Sequence, residues 1–176
     1  MSGHSKWAKI KHQKASTDAK KSKVFSKYAR LLTVESKKCD GNVNSPSLRA
    51  VIEKAKGENM PNDNIERAVK KGKGGESGSM EALTYEGYGP GGCAFIIEAL
   101  TDNRNKAVQE IKFILSKNGG SLAEKGAAAW AFIKTNEGWD PQTMIPLSDE
   151  DGEKVSRIID ELEDCDEVQD VFTNAE

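Results

Sequence analysis

Between Lys71 and Met80 the chain reads KGKGGESGSM, with four glycines and two serines in ten residues. Glycine loses the most backbone freedom on ordering and has no side chain to bury, so such a run continues neither a helix nor a strand. It divides the 176 residues into two pieces that must each close a core of their own. The apolar pattern changes across this cut. Before it, large apolar residues recur every three or four positions. After it, short apolar runs alternate with helical stretches. The predicted organisation is a basic arm and small helical domain over 1–74, a Gly/Ser linker over 75–81, and an acidic α+β domain over 82–176.

Three helices are expected in the first piece. The first starts near Ser16 or Thr17 and runs to about Asp40, with Val24, Phe25, Tyr28, Leu32 and Cys39 near one face and Gly41 as a left-handed stop. The second enters through Ser45 as cap and Pro46 as first helical residue, buries Leu48, Val51, Ile52 and Ala55, and ends at Gly57. The third opens around Pro61–Asp63, buries Ile65, Ala68 and Val69, and stops at Gly72.

In the second piece, Ala82–Tyr88 and Cys93–Leu100 read as strands joined by a tight turn at Gly89-Pro90-Gly91-Gly92. These glycines lead into a strand and no lysine follows, so the turn is not a phosphate loop. A helix capped by Thr101 or Asp102 carries Ala107, Val108, Ile111, Ile114 and Leu115 to a stop at Asn118-Gly119-Gly120. A third strand is expected over Ala128–Ile133, with Trp130 and Phe132 on one face, and a fourth over Thr143–Leu147, limited by Pro146. Ser148 followed by Asp149, Glu150 and Asp151 opens a helix burying Val155, Ile158, Ile159 and Leu162. Val168–Phe172 is the last strand. The order β-β-α-β-β-α-β folds most economically as a ferredoxin-like α+β sandwich.

Charge follows the same division. Residues 1–75 hold 18 Lys/Arg against 7 Asp/Glu, whereas residues 76–176 hold 8 against 21. Within Ser2–Arg30 there are nine Lys/Arg and one acid, Asp18. A folded core has no use for such a run, but a surface that meets a polyanion does. In the first long helix these cations sit at the N-terminal end, where the helix dipole favours acids, so something other than helix stability placed them there. The candidate nucleic-acid-binding residues are His4, Lys6, Trp7, Lys9, Lys11, His12, Lys14, Lys20, Lys21, Lys23, Lys27 and Arg30. The lysines and Arg30 supply phosphate contacts, while Trp7 and His12 add stacking or hydrogen bonds. Phe25 and Tyr28 read as core.

Other chemistries find little support. Cys39, Cys93 and Cys165 are far apart and odd in number, which suits neither a disulfide framework nor a cysteine zinc site. His4 and His12 have no partner ligands at metal spacing. The cluster Glu161, Glu163, Asp164, Asp166 and Glu167 lacks the pattern of a calcium loop and reads as a solvated face, or as a decoy for the basic arm. No Gly-x-Ser-x-Gly occurs and the two histidines both lie in the arm, so no catalytic set, metal or cofactor is expected. No apolar run is long enough for a membrane span. A cytoplasmic protein with no membrane partner is expected.

Several blocks resemble the YebC/PmpR family: Gly3-His4-Ser5-Lys6-Trp7-Ala8-Lys9-Ile10-Lys11-His12, Asn59-Met60-Pro61-Asn62-Asp63-Asn64-Ile65-Glu66-Arg67-Ala68, Tyr85 through Gly92, Leu100 through Asn105, Ser116 through Gly120, and Met144-Ile145-Pro146. The resemblance spans nearly the whole chain in order. It implies an N-terminal helical domain followed by α+β domains, without catalysis. It also implies a DNA-binding transcriptional regulator or, alternatively, a translation factor acting on ribosomal or messenger RNA at the ribosome. The family inserts a third domain between the third and fourth strands of the second. Here only Lys134–Gln142 joins Ile133 to Thr143, so this is a short form.

Overall fold

The computed structural model describes residues 18–74 and 80–176, with side chains from Lys21 onward in the first helix. The class is α+β, with three N-terminal helices followed by a sheet with its helices. Two compact units result. One holds Thr17–Glu81 with Leu100–Asn103, and the other holds Ala82–Ala99 with Arg104–Glu176.

The helical unit comprises α1 (Asp18–Lys38), α2 (Pro46–Gly57) and α3 (Asn62–Lys73). Leu32, Leu48, Ala55, Met60, Ile65 and Ala68 form its core, and Phe25, Tyr28, Val51, Ile52 and Val69 pack around them. Gly41 takes the expected left-handed conformation (φ +73°), and its N–H bonds to Ser36 O at 2.9 Å. Pro46 is the first helical residue, but the Ser45 side chain makes no capping bond. Gly72 does not end α3. It is buried inside the helix, where a Cβ would lie 2.4 Å from Thr33 O. Its missing side chain lets α3 approach α1 at backbone distance. Ser36 uses that approach, donating its hydroxyl to Val69 O (2.6 Å), while the Thr33 hydroxyl donates to Ala29 O at 2.8 Å and lies 3.3 Å from Ala68 O.

The second unit is built on β1 (Glu81–Tyr88) from Ala82 onward, β2 (Ala94–Thr101) up to Ala99, α4 (Arg104–Lys117), β3 (Ser121–Ala123), β4 (Phe132–Thr135), β5 (Gly138–Pro141), α5 (Asp149–Asp164) and β6 (Val168–Thr173). The main sheet has the order β3-β1-β2-β6. β3 is antiparallel to β1, with Gly87 opposite Leu122, and β6 is antiparallel to β2, with Ile97 opposite Val171. Pro90–Gly92 forms the tight turn from β1 to β2, which Gly89 N–H closes by bonding to Cys93 O at 2.8 Å. Both helices pack on one sheet face, where Phe95, Ile97, Ile111, Leu115, Val155, Ile158 and Leu162 meet. Ser148 caps α5 by accepting from Asp151 N–H.

The other sheet face explains where the sequence expectation fails. Ala128–Ile133 is not a strand. Ala129–Ala131 forms a 3-10 turn and β4 begins only at Phe132. Glu86, on β1, accepts N–H bonds from Gly126 (2.6 Å), Ala128 (2.9 Å) and Ala129 (2.7 Å), so these amides serve a carboxylate instead of a ladder. Trp130 is consequently 63% exposed while Phe132 is buried, so the two do not share a face. β4 and β5 form a separate hairpin turned by Asn136 and Glu137. Phe132 and Trp139 from this hairpin cover Ala94, Ile96 and Phe172. The expected strand over Thr143–Leu147 reduces to one parallel bridge between Ile145 and Ala175. Pro146 withholds the next ladder donor.

Candidate nucleic-acid interface

The predicted site divides at the edge of the described chain. His4, Lys6, Trp7, Lys9, Lys11, His12 and Lys14 lie outside the described residues, and Lys20 lies on α1 with its side chain outside them. Lys21 is exposed, whereas Lys23, Lys27 and Arg30 are half-buried. Positions 20, 23, 27 and 30 recur at spacings of three and four, so they run along one face of α1 for about 15 Å. Phe25, Tyr28, Ala29 and Leu32 occupy the core side.

The fold adds cations that the sequence reading did not single out. Arg67 and Lys71, one helical turn apart on α3, are exposed. With Phe25, Arg30, Met60 and Asn64 they line a groove of about 430 Å³ between α1 and α3. Arg30 Nη1 donates to Leu100 O at 2.8 Å, within the same compact unit, so its guanidinium is fixed in place. The i, i+4 spacing of Arg67 and Lys71 was visible in the sequence. What was not visible was that Gly72 draws α3 against α1 and brings this pair beside Arg30.

The groove can bind an anion. Guanidinium and ammonium donors reach phosphate oxygens, and Asn64, Ser22 and Ser26 offer neutral hydrogen-bonding groups. Phe25 and Met60 give the floor an apolar part that suits a sugar or base face.

Acid–base or nucleophilic chemistry has little to work with among the described residues. Cys39, Cys93 and Cys165 are free thiols. Burial pushes the Cys93 and Cys165 thiols up to about 11, so both stay protonated at neutral pH. No cluster of His, Cys, Asp or Glu there is arranged to hold a metal. Among the described residues, no helix is long and apolar enough to cross a membrane. The carboxylates do not all form a solvated face as expected. Glu167 is 2% exposed and sits 3.3 Å from Lys106 Nζ, because the start of β6 folds it inward.

Comparison with known proteins decides the family. Residues 5–75 match the model of the TACO1/YebC protein N-terminal domain, and residues 80–137 and 133–175 match that of the TACO1/YebC second and third domain. The chain belongs to the TACO1/YebC family. It is 48% identical to a "probable transcriptional regulatory protein" of Brachyspira hyodysenteriae, over 98% of this chain and 70% of that one. It is 38% identical to a "probable transcriptional regulatory protein" of Desulfosudis oleivorans, over 99% of this chain and 96% of the relative. That alignment extends over 237 positions, so the relative carries several dozen residues that this 176-residue chain lacks. Among solved structures, the crystal structure of a conserved hypothetical protein, Aq1575 from Aquifex aeolicus, superposes with a TM-score of 0.87 at 31% identity. It covers 98% of this chain and 97% of that one.

Proposed function

We propose that this TACO1/YebC family member is a non-enzymatic, nucleic-acid-binding regulator of gene expression that acts on DNA as a transcriptional regulator. The observation that carries the reading is the α1–α3 groove, where Arg30, Arg67 and Lys71 converge in the half of the chain with excess positive charge. Relatives named as probable transcriptional regulatory proteins support the same direction. The N-terminal arm, with Lys6, Lys9, Lys11 and Lys14, extends the phosphate contacts. The acidic second unit serves positioning or partner contact.

Fluorescence anisotropy with a labelled 20-base-pair DNA duplex, titrated over a range of salt, tests this. If about five cations neutralise phosphates, log affinity falls against log salt with a slope of about −4 to −5 on duplex DNA. Arg67→Ala and Lys71→Ala should each lower that slope by about 1. A salt-independent affinity refutes the reading. Tighter binding to the matching RNA than to DNA, together with RNase-sensitive co-sedimentation with ribosomes, replaces the transcriptional role with one in translation.

A further inference from the structure

The α1–α3 groove carries more than a phosphate contact requires. A phosphate asks for cations and N–H donors. Arg67 and Lys71 supply both from successive turns of α3, about 6 Å apart along its axis. Beside them, Phe25, Ala29, Met60 and Ala68 give the groove an apolar wall. Phe25 is half-buried. It packs against the helical core and also lines the groove. Met60 is set by the turn that follows α2, where Asn59 takes a left-handed conformation (φ +65°) and Met60 N–H bonds to Ala55 O at 3.0 Å. Asn64 adds an amide that both donates and accepts.

A perfect duplex has nothing to lay against such a wall. Its bases are paired and stacked inside, and it offers a small groove only charged backbone. A volume of about 430 Å³ lies within the range of small-molecule pockets, about 300–1,000 Å³, so the groove admits one nucleotide and not a helix. A base swung out of its stack brings what the wall lacks. It has a flat face for the Phe25 ring, a hydrogen-bonding edge for Asn64, and a phosphate for Arg67 and Lys71.

We propose that the α1–α3 groove is a seat for one unpaired nucleotide of the DNA target, with its base against Phe25 and Met60 and its phosphate on Arg67 and Lys71. The proposal rests on the reading of this chain as a DNA-binding regulator and narrows it. Paired DNA is held by charge, whereas DNA with an extruded base gains a stacking contact as well. The protein then selects sites where pairing is locally lost.

The test uses the full-length protein and fluorescence anisotropy at one fixed salt concentration. Three labelled probes are compared: a perfect 20-base-pair DNA duplex, the same duplex with one bulged adenine, and the bulged duplex with an abasic site in place of that adenine. The bulged adenine should raise affinity about tenfold over the perfect duplex, and the abasic bulge should lose that gain. Phe25→Leu should abolish the gain and leave perfect-duplex affinity unchanged, while Phe25→Tyr, which keeps the ring, should retain it. If Phe25→Leu does not fold, the abasic probe on the unaltered protein still decides the matter. Equal affinity for perfect and bulged duplex, an abasic bulge bound as tightly as the adenine bulge, or a gain that survives in folded Phe25→Leu overturns the proposal. Salt-dependent duplex binding without any gain from the bulge removes the seat and leaves the functional reading intact. Conversely, if neither DNA probe binds but the matching RNA does, with a bulge gain lost at an abasic site, the seat stands and the DNA reading falls.

Discussion

The two units handle charge in opposite ways. In the helical unit the cations of α1 and α3 are exposed or half-buried, and the interior is small and neutral, held by a backbone approach at Gly72 and the Ser36 hydroxyl bond. In the sheet unit several carboxylates are turned inward. Glu86 accepts three backbone N–H bonds, Glu98 accepts from Trp139 Nε1 at 3.0 Å, and buried Glu167 faces Lys106. Net charge by region therefore overstates the acidic surface of the second unit and describes the basic surface of the first fairly. Part of the charge on the second unit maintains the fold.

The difference in core size can be broken first. Phe95 is fully buried between β2 and the two helices. Phe95→Ala should cost about 3–5 kcal/mol. Urea unfolding followed by hydrogen exchange should show lost protection in α4 and α5, with α1–α3 retained. Equal loss in both units would mean that they do not hold separate cores.

The reciprocal change is Gly72→Val. Its Cβ would meet Thr33 O at 2.4 Å and Ser36 Cβ at 2.7 Å, and the backbone oxygen cannot swing away. Overpacking at this site should cost about 1–3 kcal/mol. The loss of helical signal and exchange protection should be confined to α1 and α3, and duplex affinity should fall as the groove opens.

Glu86 tests whether an inward charge stabilises the second unit. Burial alone would raise its carboxyl, but the N–H groups of Gly126, Ala128 and Ala129, with Lys125, hold it below the usual 4.5. Its stabilising contribution is thus complete above pH 4.5 and is lost as pH falls through the depressed folded value. Glu86→Gln should cost about 1–3 kcal/mol at neutral pH. Stability curves taken from pH 7 downward should converge on the acid side. If the gap between variant and wild type instead widens on acidification, the assignment is wrong.

The smallest contrast concerns two serine caps. Ser148→Ala removes a bond to Asp151 N–H and should cost about 1 kcal/mol. Ser45 makes no side-chain capping bond, so Ser45→Ala should leave thermal stability nearly unchanged. Equal costs in thermal unfolding would erase this distinction.

Much of this fold was legible before any coordinates. Helix positions followed from 3–4 spacing and from strong punctuation at Gly41, Pro46 and Ser148, because local chemistry sets those boundaries. The misread stretch, Gly126–Leu147, depends on partners far away in sequence. Nothing near Ala128 announces that Glu86, about forty residues earlier, will take its amide. Three-residue β3 is too short to show alternation, and β5, with Gly138 and Pro141, does not look like a strand. The candidate site divides along the same line. The stripe on α1 is a local pattern and was readable, whereas the placement of Arg67 and Lys71 beside Arg30 depends on helix packing.

The turn at Asn136-Glu137 has a practical consequence. Thr135 pairs with Gly138 across it, and Phe132 and Trp139 already seal the sheet behind it. The two stretches that match the family's second-and-third-domain model overlap at residues 133–137, which span this turn. It is therefore a natural port. A compact guest domain with neighbouring termini, spliced between Asn136 and Glu137, should be carried without disturbing either core. That makes the hairpin a ready attachment point for a fluorescent or affinity module.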